Sequence, residues 1–351
     1  MSLKIGVIHS DLPEEGKKPG GVFVVVHELA NALVRAGNDV TMFSHTTKPK
    51  DAVYNVIALP RIVNSKRLSR RIVLPLQINF LNLREFDLLH LHGDDWAFFN
   101  RQVPTVRTFH GCAINEAKFA DNLKAKLVHT SYHPLELFAG KLASFSVGVG
   151  DDTVKLLKAK CVIPNGYDQN LFYYEEKSSR PTAIVIGTLE GRKQSKLAIE
   201  ILISLLSEIP DLVIHAVVDK PYNHPSVQNW IGISKTQLAK LVRESWIGVS
   251  TTLYEGFGIY YTEWMAAGTV PVTFSNIGCK SLIENSQCGI VTDNTEQMRK
   301  AALYLLRDAS VLNKYSENAL VTAQNLSWDK IAQQYLQIYS SLIKKPSKLR
   351  V

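Results

Sequence analysis

Short apolar runs alternate with stretches of helical periodicity from one end of this chain to the other. The first set reads "KIGVIHS", the helical "VHELANALVRAG", "DVTMFS", and later "FDLLHLHG", "PTVRTFHG", "ASFSVGVG" and "AKCVIPNG". Strands separated by helices imply βαβ units and a parallel sheet. Gly37 stands where a left-handed cap would end the first helix, and Asp39 opens the next strand. A second set follows the polar "EEKSSRP": strand "TAIVIGT", helix "KLAIEILISLLSEI", strand "LVIHAVV", the turn-rich "DKPYNHP" and strand "WIGVSTT". The pattern predicts an α/β protein of two doubly wound, Rossmann-like domains, 1–165 and 166–326, facing across a cleft. The last segment, 327–351, carries Trp328, Ile331, Tyr335, Ile338 and Leu342 at helical spacing and is expected to pack back on the first domain. Ligands of open α/β sheets bind beyond the carboxyl ends of the strands, so the informative residues are those just after strands.

At 351 residues and 46% hydrophobic, the chain is long enough for two such cores. Cys112, Cys161, Cys279 and Cys288 are widely spaced with no Cys-x-x-Cys pair, which suits reduced thiols better than a zinc cage or disulfide framework. The opening "MSLKIGVIHS" lacks the long apolar core of a signal peptide, and "LAIEILISLL" is broken by Glu200 before it could span a bilayer. The expectation is a cytoplasmic protein. The net charge is +8, and six of those charges lie in residues 1–165, densest in the stretch from Arg61 through Lys66, Arg67 and Arg70 to Arg71. Followed by an apolar run, that stretch suits an anionic membrane surface, making the protein peripheral there, or a phosphorylated acceptor. A solvated helix face explains it too. No nucleic-acid partner is expected.

Residues 254–272 read "YEGFGIYYTEWMAAGTVPV". Glu255 follows a strand, Gly256 and Gly258 flank Phe257 where a ligand could reach main-chain amides, Ile259 opens a helix, and Glu263 comes two turns on. A carboxylate accepts two hydroxyl hydrogen bonds in a planar fork, which suits one Glu for a sugar and one for a ribose diol; a cap and a satisfied buried acid are the plainer alternative. Arg192 and Lys193, in "IGTLEGRKQSKLAIE", lie between a strand and a helix, where a fork and a point charge can hold a diphosphate or form a solvated turn. Gly20 and Gly21 precede the first helix, serving either close approach of an anion or a turn. His110, in "VRTFHG", ends a strand as a ligand-facing or a structural residue would. His90 and His92 lack an evident third metal ligand, so no metal site is expected.

Together these residues resemble the retaining glycosyltransferases of family 4, which have the two-domain GT-B fold. The resemblance runs from the "PGG" loop through "VIPNGYDQNLF" and the Glu-x(7)-Glu motif to the closing "SWDKIAQQYLQIY". It implies a first domain that binds the acceptor and a second that binds a nucleotide-diphosphate sugar, linked to UDP or GDP, with no further cofactor. It assigns Glu255 to the donor sugar, Glu263 to the ribose, Arg192 and Lys193 to the diphosphate, and His110 to the neighbourhood of the reacting sugar. The implied reaction moves a hexosyl group to a hydroxyl of a cell-surface glycan, glycolipid or secondary metabolite. Three departures stand out: Thr188 where many members have Arg, as in a subset resembling lipopolysaccharide-core glucosyltransferases; Gln194 where Gly is usual; and Tyr261 and Trp264 where smaller or aliphatic residues are usual. They bear on donor identity. A sugar-nucleotide 2-epimerase and a non-catalytic sugar-binding protein are the alternatives; a nicotinamide enzyme is disfavoured because no Gly-x-Gly-x-x-Gly is present.

Overall fold

A computed structural model describes residues 2–14, 20–93, 95–120, 122–278 and 280–344. Pro19 of the "PGG" loop, Cys279 and the end of the 327–351 segment lie outside the described residues. Cys112, Cys161 and Cys288 are free thiols.

The chain divides into two compact units, residues 1–114, 127–166 and 328–351 in the first, and 115–126 with 167–327 in the second. Segment 115–126, placed by sequence in the first domain, groups with the second unit.

Among the described residues the first unit holds seven strands, β1 (Lys4–Ile8), β2 (Asp39–Ser44), β3 (Asn55–Ala58), β4 (Leu88–Leu91), β5 (Thr105–Phe109), β6 (Phe145–Gly148) and β7 (Cys161–Val162). All pair in parallel in the order β3-β2-β1-β4-β5-β6-β7. The second unit holds β8 (Thr182–Ile186), β9 (Val213–Val217), β10 (Val227–Trp230), β11 (Ile247–Ser250), β12 (Val270–Phe274) and β13 (Ile290–Thr292), in the order β10-β9-β8-β11-β12-β13. Strand order reverses between β1 and β4 in one sheet and between β8 and β11 in the other, and such reversals open the crevices where ligands bind.

Local chemistry explains the elements. The helix Gly21–Arg35 ends in a Schellman motif: Asn38 N–H bonds Leu33 O at 3.2 Å, Gly37 N–H bonds Val34 O at 2.8 Å, and Gly37 adopts φ 87°. The helix Ile259–Ala266 is apolar on nearly every face and buries Tyr260, Tyr261, Trp264 and Met265. The bulk of Trp264 fits because β11 offers Gly248 beneath it; a Cβ there would lie 2.4 Å from the indole. Trp264 and Tyr261 therefore face the core, and the departure they represent is absorbed by packing. Among the described residues no helix is long and apolar enough to cross a membrane.

The helix Trp328–Ile343 packs on Gly21–Arg35, with Arg35 Nη2 2.7 Å from Asp329 Oδ1. It also completes a buried polar network. Tyr335 hydroxyl lies 2.9 Å from Thr108 Oγ1, and Tyr339 hydroxyl 2.6 Å from His90 Nδ1.

Candidate active site

The strongest cluster in the second unit lies at the β8/β11 reversal. After β8 the chain passes Gly191 at φ 71°, then Arg192 and Lys193 in a single 3-10 turn, then Gln194, before the helix Ser195–Ile203 begins. Gln194 sits in the left-handed region at φ 47°, ψ 35°, which is the backbone state glycine adopts without cost. Hydrogen bonds to its carbonyls clamp this turn to the segment after β11: Leu253 N–H donates to Arg192 O at 3.0 Å, and the Thr251 hydroxyl to Gln194 O at 2.7 Å. Both cations thus reach one carboxylate. Arg192 Nη1 stands 3.4 Å from Glu255 Oε2 and Lys193 Nζ 3.5 Å from Oε1, and Arg192 also donates to Tyr254 O. Burial alone would lower the Arg192 pKa, but Glu255 and Glu116 outweigh it, so the guanidinium stays charged.

Glu255 Oε1 is buried and accepts no hydrogen bond among the described residues. Buried polar atoms are normally satisfied, so this one marks where a hydroxyl could dock. The loop after it is held from below: a Cβ on Gly278 would lie 2.2 Å from Glu255 O. Phe257 is buried, and Gly258 caps the helix at φ 83° with Ile259 at its first turn. Glu263 is half-buried on that helix, eight residues from Glu255. Thr188 directs its hydroxyl to Glu190 O at 2.9 Å, which leaves Arg192 as the guanidinium at this turn.

In the first unit, histidines end three strands at or beside the β1/β4 reversal: His9 after β1, His92 after β4 and His110 after β5. His92 Nδ1 lies 3.0 Å from His110 Nε2, and the two rings stack at 5.3 Å. Burial, then the neighbouring His9 and Arg107, pushes His110 down to about 3, so its imidazole is neutral at physiological pH. Its Nδ1 is buried with no hydrogen-bond partner among the described residues. Both ring nitrogens of His90 are engaged, Nε2 with Thr108 at 2.8 Å and Nδ1 with Tyr339. His9 went unread in the sequence, although the shared strand ending in "VIHS", "LLHLHG" and "VRTFHG" was the available signal.

Gly20 has φ −69°, and a Cβ on Gly21 would meet nothing within 4 Å. Neither left-handed backbone nor local crowding requires glycine there. One group of metal-ligating type converges among the described residues, Cys112, His133 and Glu136, with ligand atoms within 4.8 Å of one another. Glu136 also accepts from Ala113 N–H at 3.1 Å, and burial pushes it up to about 7.

Two family models tile the chain: Glycosyltransferase Family 4 matches residues 19–171 and Glycosyl transferases group 1 matches 168–321. The poly(glycerol-phosphate) alpha-glucosyltransferase of Bacillus subtilis is 25% identical over 164 residues, which is 43% of this chain and 24% of that protein. The chain spans under half the length of the curated relatives it matches. Among solved structures, sucrose-phosphate synthase from Thermosynechococcus elongatus is similar with a TM-score of 0.76 at 19% identity, covering 98% of this chain and 100% of that one. HepE of Anabaena, solved with UDP and glucose, has a TM-score of 0.72 at 18% identity, covering 97% and 100%. At these identities the structural likeness is one of fold, and it is the GT-B fold of two parallel sheets. With both halves matched in order by family models, the chain belongs to the family-4 glycosyltransferases of GT-B fold.

Proposed function

We propose that the chain is a retaining hexosyltransferase that takes its sugar from a nucleoside diphosphate, uridine or guanosine, without a metal ion. The observation that carries this reading is Glu255, a carboxylate ion-paired with Arg192 and Lys193 at a strand-order reversal, whose Oε1 accepts no hydrogen bond among the described residues. The solved relative with bound UDP and glucose supports the donor class.

Breaking the anomeric bond builds positive charge on the sugar and negative charge on the leaving diphosphate. Arg192 and Lys193 would stabilise the diphosphate, aided by the amides of Gly256, Phe257, Gly258 and Ile259 at the helix start. Glu255 would accept the sugar hydroxyls and Glu263 the ribose diol. In the first unit, Gly20 and Gly21 would let the backbone approach the donor, and His110 Nδ1 would meet a sugar hydroxyl. The acceptor oxygen forms the new bond on the face the diphosphate leaves, and the departing phosphate oxygen takes the acceptor's proton, so configuration is retained. Two cations supply the charge that a divalent metal supplies in other phosphate sites.

Thermal denaturation against UDP, GDP and ADP tests this, since a ligand of the native state raises the melting temperature. One diphosphate should stabilise the protein, and Lys193→Ala should abolish the response. No response to any of them would refute the reading. Release of a free hexose without acceptor would instead mark an epimerase.

A further inference from the structure

The reading above leaves the acceptor unassigned, and the basic stretch of the first unit bears on it. A cavity of about 700 Å³ opens beside β1, β2 and β3 at their carboxyl ends, lined by Arg61, Lys66, Arg67 and Arg70 with Thr46 and Thr47. Its acidic residues are Asp11 and Glu14 and its remaining titratable group is His45, so the lining carries two more positive than negative charges. Asp11 pairs with Arg61. Lys66 and Arg67 have no ion-pair partner among the described residues and stand exposed.

The scaffold that presents them is built rather than incidental. Lys66–Leu68 runs into a wide π turn, Ser69–Val73, and then into Leu74–Asn79. Such turns re-aim side chains and recur at functional sites. His45 anchors the turn, with Nε2 2.9 Å from Ser69 Oγ and Nδ1 2.9 Å from Leu59 O. Arg71 faces elsewhere: its guanidinium lies 4.0 Å from the Tyr132 ring centroid and 5.3 Å from that of Trp96. The five cations read from sequence as one run are thus sorted, four to the cavity and one to an aromatic slot.

Resting on the transferase reading, we infer that this cavity binds a phosphate monoester or diester carried by the acceptor, with Lys66 and Arg67 as its principal contacts. Two exposed cations with no ion-pair partner among the described residues, beside hydroxyls, match the charge and the acceptor oxygens of a phosphate, and the cavity lies beyond strand carboxyl ends, the side on which open α/β sheets bind ligands. A neutral acceptor would leave that charge unused.

The test uses the whole chain, with glucose 6-phosphate, glucose and inorganic phosphate as probes in thermal denaturation. Glucose 6-phosphate should stabilise the protein and glucose should not. The double variant Lys66→Gln with Arg67→Gln should keep the ligand-free melting temperature, because both side chains are exposed, yet bind glucose 6-phosphate about 10-fold more weakly or worse. Lys193→Ala should retain the glucose 6-phosphate response while losing that to nucleoside diphosphate, which separates this inference from the donor reading. Vesicles of phosphatidylglycerol against phosphatidylcholine form a second arm. Sedimentation with phosphatidylglycerol alone, lost in the double variant, would place the same phosphate chemistry on a lipid head group. The inference is overturned if glucose and glucose 6-phosphate act alike and neither vesicle binds, or if the double variant keeps the wild-type response to both.

Discussion

Replacing Glu255 by Gln keeps the side chain's shape and removes its charge, and the structure predicts opposite effects on two kinds of binding. The carboxylate stands 3.4 Å from Arg192 Nη1 and 3.5 Å from Lys193 Nζ. Unit charges at that separation attract by about 5 kcal/mol at an effective dielectric of 20. The Arg192 and Lys193 side chains are 28% and 30% exposed, so solvent screens most of this and leaves about 1 kcal/mol per pair. A diphosphate must draw both cations away from Glu255 and lie near its negative charge. Glu255→Gln should therefore tighten binding of the preferred nucleoside diphosphate by about 2 kcal/mol, roughly 30-fold in Kd. Turnover of the sugar nucleotide should fall by about 10- to 100-fold, because the charged acceptor for the sugar hydroxyls is gone. Titration calorimetry at low and high salt measures the first effect, and the gain should shrink as salt screens the cations. Weaker diphosphate binding by the variant at low salt would refute the competition argument and show that Glu255 orders the two cations instead.

Three further outcomes follow from the geometry. Gln194→Gly should leave the turn intact and stabilise the protein by up to about 1 kcal/mol, since relief of left-handed strain exceeds the added entropy of the unfolded chain; urea unfolding that shows a loss would count against it. Gly278→Ala should displace the Glu255 loop, costing about 1–3 kcal/mol of stability and most nucleoside diphosphate binding, because its Cβ would lie 2.2 Å from Glu255 O. Burial, then the neighbouring His110, holds His90 down at about 3, so the native state leaves it neutral while the unfolded chain protonates it near its ordinary value of 6.5. Its contribution is present above pH 6.5 and is lost as pH falls toward 3, amounting to about 2 kcal/mol between pH 7 and pH 5. Denaturant midpoints at those two pH values check this: His90→Gln should reduce the difference by about that amount and leave the part due to His92 and His110, which burial also holds neutral.

The fold was legible because apolar runs and helices alternate in both halves, and each half buried its runs as a parallel sheet. Strands β3 and β10 were missed because they are short edge strands with polar or exposed residues, "NVIA" and "VQNW", and so lack a buried pattern. β12 was hidden by Pro271, which is tolerated because pairing with β13 begins only at Val272. Arg192, Lys193 and Glu255 could be grouped in advance because each follows a strand and precedes a helix. His9 was passed over because a histidine ending each of three strands gains its meaning only once β1, β4 and β5 are known to be neighbours. Trp264 looked like a change to the donor pocket, and only the position of Gly248 beneath it shows that it belongs to the core. Tyr335 read as apolar packing and Tyr339 was not singled out, whereas their hydroxyls complete the Thr108 and His90 network.

That network has a consequence for how the chain comes off the ribosome. Thr108 meets Tyr335 across 227 residues of sequence, and His90 meets Tyr339 across 249. The first sheet is translated early, but two of its buried polar side chains wait for a helix made after the whole second unit. At about 5–20 residues per second, that interval is roughly ten to fifty seconds. During it the nascent first unit carries an uncovered flank against Gly21–Arg35, the surface a chaperone would recognise. A ribosome-bound chain arrested before Trp328 should be cut readily by protease in its first unit, and one arrested well beyond Ile343 should resist.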